Sequence, residues 1–503
     1  MPLSRASVAA WAAIAASVGF LLARIVPDVG GKPLFEDEAV SGLISARPLG
    51  EIILTTVWDR GGAPLHFLLT HLAFQFDSSA DALRWLSVVF AIGTVLVCYD
   101  LGRRLAGQIA GVGAAVVAAT SGMLAVYGSF GRMYTLLAFV SALAATLFVR
   151  ALDERTTSAA VAAAAAAWLL PAVHPYGGIV VTIEAAVALA VWRGRPFRPA
   201  LPVLAIGLAM IPFAVADFRL ANRFEVSGEA EDRLATWDEA WDQLSSAVSG
   251  FAGGEGLTLA LFLGLALGGA VLLMRRRPEL VVWGLLALAA PPLLAALVRT
   301  GRAPDLSPRH LIFVLPFFAA AVGTAVARLP WPPIALAGVS AVAVFSAQGI
   351  VDPRTITYTA ALGSEEALAE PSAWLEERVG EGDVLYPYSS VFLAALPEAG
   401  EAVSLPRGQS QSLLAAVERL DYPVRDLFVA IPAEGPLGAW TIVHSPGPIA
   451  DARGLLERTL GTLQARRATL PANSPEPLQD WFGLNETVLC EALSTLDTEC
   501  VSE

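Results

Sequence analysis

Asp37 and Glu38 stand in Pro33-Leu34-Phe35-Glu36-Asp37-Glu38-Ala39, a short distance beyond residues 6–26, which are almost wholly apolar. A carboxylate at such a place can take a proton from an attacking hydroxyl or amine. Five other segments carry matching chemistry. Arg60 ends Trp58-Asp59-Arg60, and His66 lies in Ala63-Pro64-Leu65-His66-Phe67-Leu68-Leu69-Thr70-His71-Leu72. Arg132 and Tyr134 lie in Gly131-Arg132-Met133-Tyr134, and His174 and Tyr176 in His174-Pro175-Tyr176-Gly177. Arg309 and His310 lie in Ser307-Pro308-Arg309-His310-Leu311. A guanidinium presents a planar fork of donors that fits a phosphate. A base, several cations and phenols together suit transfer of a group away from a phosphate: the carboxylate accepts the acceptor's proton, and the arginines hold the departing anion. Each piece alone has a plain structural reading, since Arg and Tyr also anchor span ends at a membrane interface.

The elements that must position these residues are membrane spans. The chain has 503 residues, 55% hydrophobic and 16% charged, with a mean hydropathy of +0.60. Soluble domains carry roughly 25% charge. Apolar runs of about 20 residues, the length that crosses a bilayer, recur as far as residue 350. Spans are expected near 6–26, 84–101, 107–127, 133–150, 158–174, 176–192, 199–217, 256–274, 279–298, 309–327 and 332–350, about 11 transmembrane helices in all. Arg5, Arg103-Arg104, Arg150 with Arg155, Arg193-Arg195-Arg198, Arg275-Arg276-Arg277 and Arg328 fall on one side of that arrangement. Positive short loops mark the cytoplasm, so the N-terminus is expected inside and the C-terminus outside. The candidate residues then gather on the outer face.

Three outer segments are long. The first, 27–81, holds the acidic motif and the 63–72 stretch, which is too short to span and reads as an interfacial or re-entrant helix beginning at Pro64. The second, 218–255, carries Trp237 and Trp241, spaced to share a helical face at the interface. The third is the tail, 353–503. From Arg354 onward it has 22 acidic and 9 basic residues and so accounts for the whole net charge of −13. Helical stretches at 365–379, 410–420 and 450–462 alternate with short apolar strands at 383–386, 427–431 and 440–443, the pattern of a small α/β domain. The acidic balance argues against a nucleic-acid partner. No glycine-rich phosphate loop is present in the sequence. Of three cysteines, Cys98 lies within a span, and Cys490 and Cys500 lie in the tail. An extracytoplasmic tail would allow those two to pair or to remain free thiols.

In order along the chain, these motifs resemble the C-type (GT-C fold) glycosyltransferases that use polyprenyl-phosphate sugars, specifically the protein O-mannosyltransferase and aminoarabinose-transferase group with its bacterial relatives. Phe35-Glu36-Asp37-Glu38 resembles the acidic motif of that group's first outer loop. Ala63-Pro64-Leu65-His66-Phe67 resembles its Pro-Leu-aromatic segment. Ala82-Leu83-Arg84-Trp85-Leu86-Ser87 is similar to its entry to the next span, and Leu101-Gly102-Arg103-Arg104 to its cytoplasmic turn. Gly131-Arg132-Met133-Tyr134-Thr135-Leu136-Leu137, His174-Pro175-Tyr176-Gly177 and Pro308-Arg309-His310-Leu311 are similar to three further outer turns. His66 and His310 stand where tyrosine is common in the group. The resemblance covers roughly residues 6–350.

The resemblance implies a polytopic α-helical membrane protein, GT-C-like, with catalytic Asp37 and its neighbour Glu38. Arg132, Tyr134, His174, Tyr176, Arg309, His66 and Arg60 would bind substrate. The implied partners are a polyprenyl-phosphate-sugar donor, a protein, lipid or cell-wall glycan acceptor, and membrane lipids. No cofactor is required. A divalent metal is compatible with Asp37, Glu38 and His174, although no spacing demands one. Two other readings compete. A non-catalytic membrane scaffold would use the α/β tail as its interaction module. A transporter or flippase of a lipid-linked glycan would need polar groups at mid-span, where Glu184 stands.

Overall fold

The computed structural model describes residues 5–30, 36–59, 63–77, 79–191, 211–212, 215, 236–277, 290–299, 308–349, 365–394, 402–406, 410–432, 440–471, 474 and 476–496. By packing they fall into two units. The first comprises the described parts of Met1–Val29, Arg84–Val215 and Glu231–Asp352. The second takes in those of Gly30–Leu83 and Pro353–Glu503.

The first unit is helical, as long apolar segments must be where water cannot satisfy the backbone. Five described helices are long and apolar enough to cross a membrane: Ala6–Asp28, Asp81–Ala106, Tyr134–Glu154, Gly256–Arg276 and Pro308–Val326. The expected 107–127 span is two helices, Gln108–Thr120 and Gly122–Gly128, meeting at a 57° bend. Ser121 makes the break. Its Oγ accepts from the Leu124 amide at 3.4 Å, capping the second helix, and donates to the Gly250 carbonyl at 3.0 Å. Among the described residues, five helices, or six with the bent pair taken as one span, are long and apolar enough to cross. Three expected spans are the shorter apolar helices Thr157–Val173, Gly177–Ala188 and Pro332–Ala347. The full helices, Thr157–Val173, Gly177–Val191 and Pro332–Gly349, agree with the expected 158–174, 176–192 and 332–350 to within about two residues. Most of the expected 199–217 and 279–298 spans lies outside the described residues.

Small residues set the packing. A Cβ on Gly113 would sit 3.0 Å from the Cα of Gly323, so two helix backbones meet there only because neither has a side chain. The alanine run buries Ala159, Ala163, Ala166 and Ala167 along one helix. On the amphipathic helix Trp237–Ala252, Ala240, Ala247 and Phe251 are buried while Trp237 and Trp241 are exposed. Cys98 is free and buried.

The second unit is built on a four-stranded sheet: β1 (Val384–Tyr386), β2 (Val403–Ser404), β3 (Val424–Pro432) and β4 (Trp440–Ile449), in the order β2-β1-β3-β4. β1 pairs parallel with both β2 and β3, and β3 pairs antiparallel with β4. The helices at 365–376, 410–417 and 452–467 stand where the sequence places them. The two-residue strand β2 and the short helix Ser390–Ala394 carry too little pattern to be read in advance, and the sequence reading also missed the helix Glu476–Thr495.

Strand alternation explains how the sheet is covered. Successive side chains point to opposite faces. Leu427, Val429 and Ile431 enter one core with the helices Ala452–Arg467 and Glu476–Thr495. Phe428 and Ala430 enter the other. That second core is completed from the far end of the chain, by Val40, Leu43, Ile44, Ile52 and Phe67 of the 36–74 segment. The loop and the tail thus share one interior. Cys490, in the last helix, is disulfide-bonded, and Cys500 lies outside the described residues.

Candidate active site

In the first unit, the chain brings three separated turns together. The 129–133 turn follows the helix Gly122–Gly128 and is tied down by Ser87, whose Oγ donates to the Phe130 carbonyl at 2.7 Å. It delivers half-buried Arg132 and, at the start of the next helix, buried Tyr134. The turn between Thr157–Val173 and Gly177–Val191 delivers His174 and Tyr176, both buried. The 3-10 segment Pro308–Val314 delivers half-buried Arg309 and His310, and buries Leu311 to Val314 completely. A hydrogen bond from Ser141 Oγ to the Phe313 carbonyl, 2.8 Å, locks that segment against the Tyr134–Glu154 helix.

The rings form a connected surface. His174 and His310 lie 5.1 Å apart by centroid, His174 and Tyr176 5.1 Å, and Tyr176 and His310 5.6 Å. Tyr134 lies 6.3 Å from His310, and the Arg309 guanidinium sits over the Tyr134 ring at 5.7 Å, within cation–π range. Tyr127 and Phe130 extend this wall, 4.8 and 6.3 Å from Tyr134. The sequence reading missed both. Their spacing ahead of Tyr134 was the available signal, but aromatics near a span end look like ordinary belt residues.

His174 lies in the turn beyond the end of its helix. The Tyr176 amide donates to its Nδ1 at 3.2 Å, so Nδ1 is the acceptor and Nε2 carries the proton. Burial, and then the positive charges of Arg132 and Arg309, push its pKa down to about 3. The ring is a neutral donor inside a positively charged cluster. Such a surface fits an anion with a flat or apolar appendage: guanidiniums for the charge, rings for the rest.

The second unit holds the acids. Asp37 and Glu38 lie in the first turn of the helix Glu36–Ser45, hereafter the acidic helix. Asp37 is half-buried and Glu38 is 1% exposed. Ser41 Oγ donates to the Asp37 carbonyl at 3.1 Å. His66 is buried on the neighbouring helix Leu65–Phe74, which begins after Pro64 as the sequence suggests. His71 on that helix meets the Ser45 carbonyl through Nδ1 at 2.8 Å. Arg60 lies outside the described residues. Arg47, which the sequence reading passed over, is 8% exposed and donates to Thr55 Oγ1 at 3.2 Å and to the Ser404 carbonyl at 2.5 Å. Among the described residues, no three His, Cys, Asp or Glu side chains converge as a metal site.

Residues 61–216 match the family described as dolichyl-phosphate-mannose-protein mannosyltransferase. The fold is similar to that of ArnT from Cupriavidus metallidurans in the apo state, with a TM-score of 0.55 and 13% identity over 86% of this chain and 94% of that one. ArnT bound to undecaprenyl phosphate gives a TM-score of 0.53 and 13% identity over 84% and 92%. The Archaeoglobus fulgidus oligosaccharyltransferase in complex with Zn and sulfate gives 0.50 and 13% over 84% and 68%. No curated protein sequence matches the chain.

Proposed function

We propose that this protein is an integral-membrane glycosyltransferase that moves a sugar from a polyprenyl-phosphate donor to an acceptor hydroxyl or amine on the outer face of the membrane. The observation that carries the reading is the cluster of Arg132, Arg309, His174 and His310 among Tyr134 and Tyr176, on a C-type glycosyltransferase fold. ArnT bound to undecaprenyl phosphate supports a lipid phosphate as the anion.

In the proposed step the acceptor oxygen or nitrogen attacks the anomeric carbon. The bond from that carbon to the phosphate oxygen breaks, and polyprenyl phosphate leaves with the electron pair. Asp37 takes the acceptor proton, and Glu38 is its neighbour in the same helical turn. Arg132 and Arg309 hold the phosphate as its charge grows, and neutral His174 donates to it through Nε2. The resemblance to the family implies inversion at the anomeric carbon, for which a single base suffices. On this reading the tail lies outside the cytoplasm; the positive-inside pattern and the disulfide at Cys490 support it.

The test is transfer of radiolabelled sugar from synthetic polyprenyl-phosphate donors, in membranes carrying wild type or Asp37→Asn at equal folded yield. Transfer by wild type alone supports both the reaction and the base. Equal transfer removes Asp37 from the mechanism. No transfer by either, across hexosyl and pentosyl donors, overturns the reading.

A further inference from the structure

A sheet with two apolar faces needs a cover on each. The tail's own C-terminal helices cover one face, and the first outer loop helps to cover the other. The acidic helix is part of that cover, with Val40, Leu43 and Ile44 in the shared core beside Val391, Phe392 and Leu393 of the Ser390–Ala394 helix. Its position is therefore set by contacts with the tail.

Two of these contacts are specific. At Gly42 the acidic helix meets Leu393 with no room for a side chain: a Cβ there would lie 2.5 Å from one Leu393 methyl carbon and 2.8 Å from the other. Leu393 is 2% exposed within the shared core, so close packing keeps it from swinging away. Just past the helix C-terminus, buried Arg47 donates to the Ser404 carbonyl of β2. β2 is in turn fixed to β1, with the Val403 amide donating to the Asp383 carbonyl at 3.0 Å and the Leu405 amide to the Leu385 carbonyl at 2.8 Å. The helix bearing Asp37 and Glu38 is pinned at its middle and just beyond its end by residues made more than 300 positions later.

We propose that the tail is the template that positions the acidic pair for the transfer reaction, with Gly42 and Arg47 as positioning residues. This rests on the role assigned to Asp37 above. It gives the α/β tail a part in the chemistry without requiring it to touch donor or acceptor.

The experiment compares wild type, Gly42→Ala, Leu393→Ala, the Gly42→Ala/Leu393→Ala pair and Arg47→Lys, with Asp37→Asn as reference. Donor kcat and KM are measured, together with hydrogen exchange of the amides of residues 37–45. Carbon contacts are ordinarily about 3.5–4.0 Å, so the alanine methyl displaces the helix by about 1 Å. A misplacement of that size costs on the order of 100-fold in rate. The expected result for Gly42→Ala is a kcat loss of about 10- to 100-fold with donor KM within about twofold. Its amides should exchange faster. Adding Leu393→Ala should restore both. Arg47→Lys, which keeps the charge and loses the fork, should lower kcat in the same way.

Unchanged exchange in Gly42→Ala, or a loss that Leu393→Ala does not repair, overturns the positioning role. Altered exchange with wild-type kcat, while Asp37→Asn is inactive, overturns it and leaves the proposed function standing. If wild type transfers nothing from any donor, the function fails, and exchange with its repair still decides whether the tail holds the acidic helix in place.

Discussion

The guanidinium of Arg309 lies 5.7 Å from the ring centroid of Tyr134, joining the first turn of the basic cluster to the last. Arg309→Lys retains the charge and loses the planar stacking and the fork. Donor KM should rise about tenfold, equivalent to ~1.4 kcal/mol of binding, with a smaller change in kcat. Steady-state kinetics on a polyprenyl-phosphate sugar checks this. Tyr134→Leu should show a smaller rise in the same direction.

The two acids should separate by stability. Asp37 is half-buried, and Asp37→Asn should leave the thermal midpoint nearly unmoved, since such substitutions change stability by only about 0.5 kcal/mol. Its transfer rate should fall by on the order of 100- to 10,000-fold. Glu38 is 1% exposed, and Glu38→Gln should lower the midpoint as well as the rate. Thermal unfolding in detergent beside the transfer assay distinguishes the two.

His174 gives a pH dependence of defined sign. Its folded-state pKa is about 3 against an ordinary 6.5. Between those values the unfolded chain binds a proton that the folded chain does not, so stability rises with pH across that window. Its contribution is fully present above about 6.5 and is lost as pH falls toward 3. His174→Gln should flatten that part of the stability–pH curve. The wild-type rate profile should show no His174 inflection between pH 5 and 8.

Glu184 separates transferase from transporter. It is 4% exposed, and neither carboxylate oxygen has a hydrogen-bond partner among the described residues. An acid at membrane depth is the kind of group a transport path would use. Glu184→Gln should leave sugar transfer within about twofold of wild type, and should hold or raise the thermal midpoint because a buried acid is replaced by a neutral isostere. Loss of lipid-linked glycan flipping in that variant, with no transferase activity in wild type, would favour the transporter.

Much of this was legible in the sequence because it is written in local periodicity. The apolar runs, Pro64 as a helix start, the exposed Trp237 and Trp241, and most of the tail's helices and strands follow from patterns a few residues long. Arg132, His174 and Arg309 each stand in a motif visible in the sequence, and the structure brings those turns together. What local pattern cannot carry is contact at long range. Gly42 reads as one more glycine in a helix until Leu393 is placed against it. Arg47 reads as a surface charge until the Ser404 carbonyl is found at its guanidinium. The bend at Ser121 is equally silent, because the apolar run passes through it unbroken.

The shared interior of loop and tail also has a consequence in time. The ribosome makes residues 36–74 early and residues 384–431 hundreds of positions later. Val40, Leu43, Ile44 and Phe67 have no sheet to pack on until Phe428 and Ala430 have been made. The acidic helix therefore matures last, although it is among the first segments translated. A chain cut short before the tail would lack the sheet on which the acidic helix is seated.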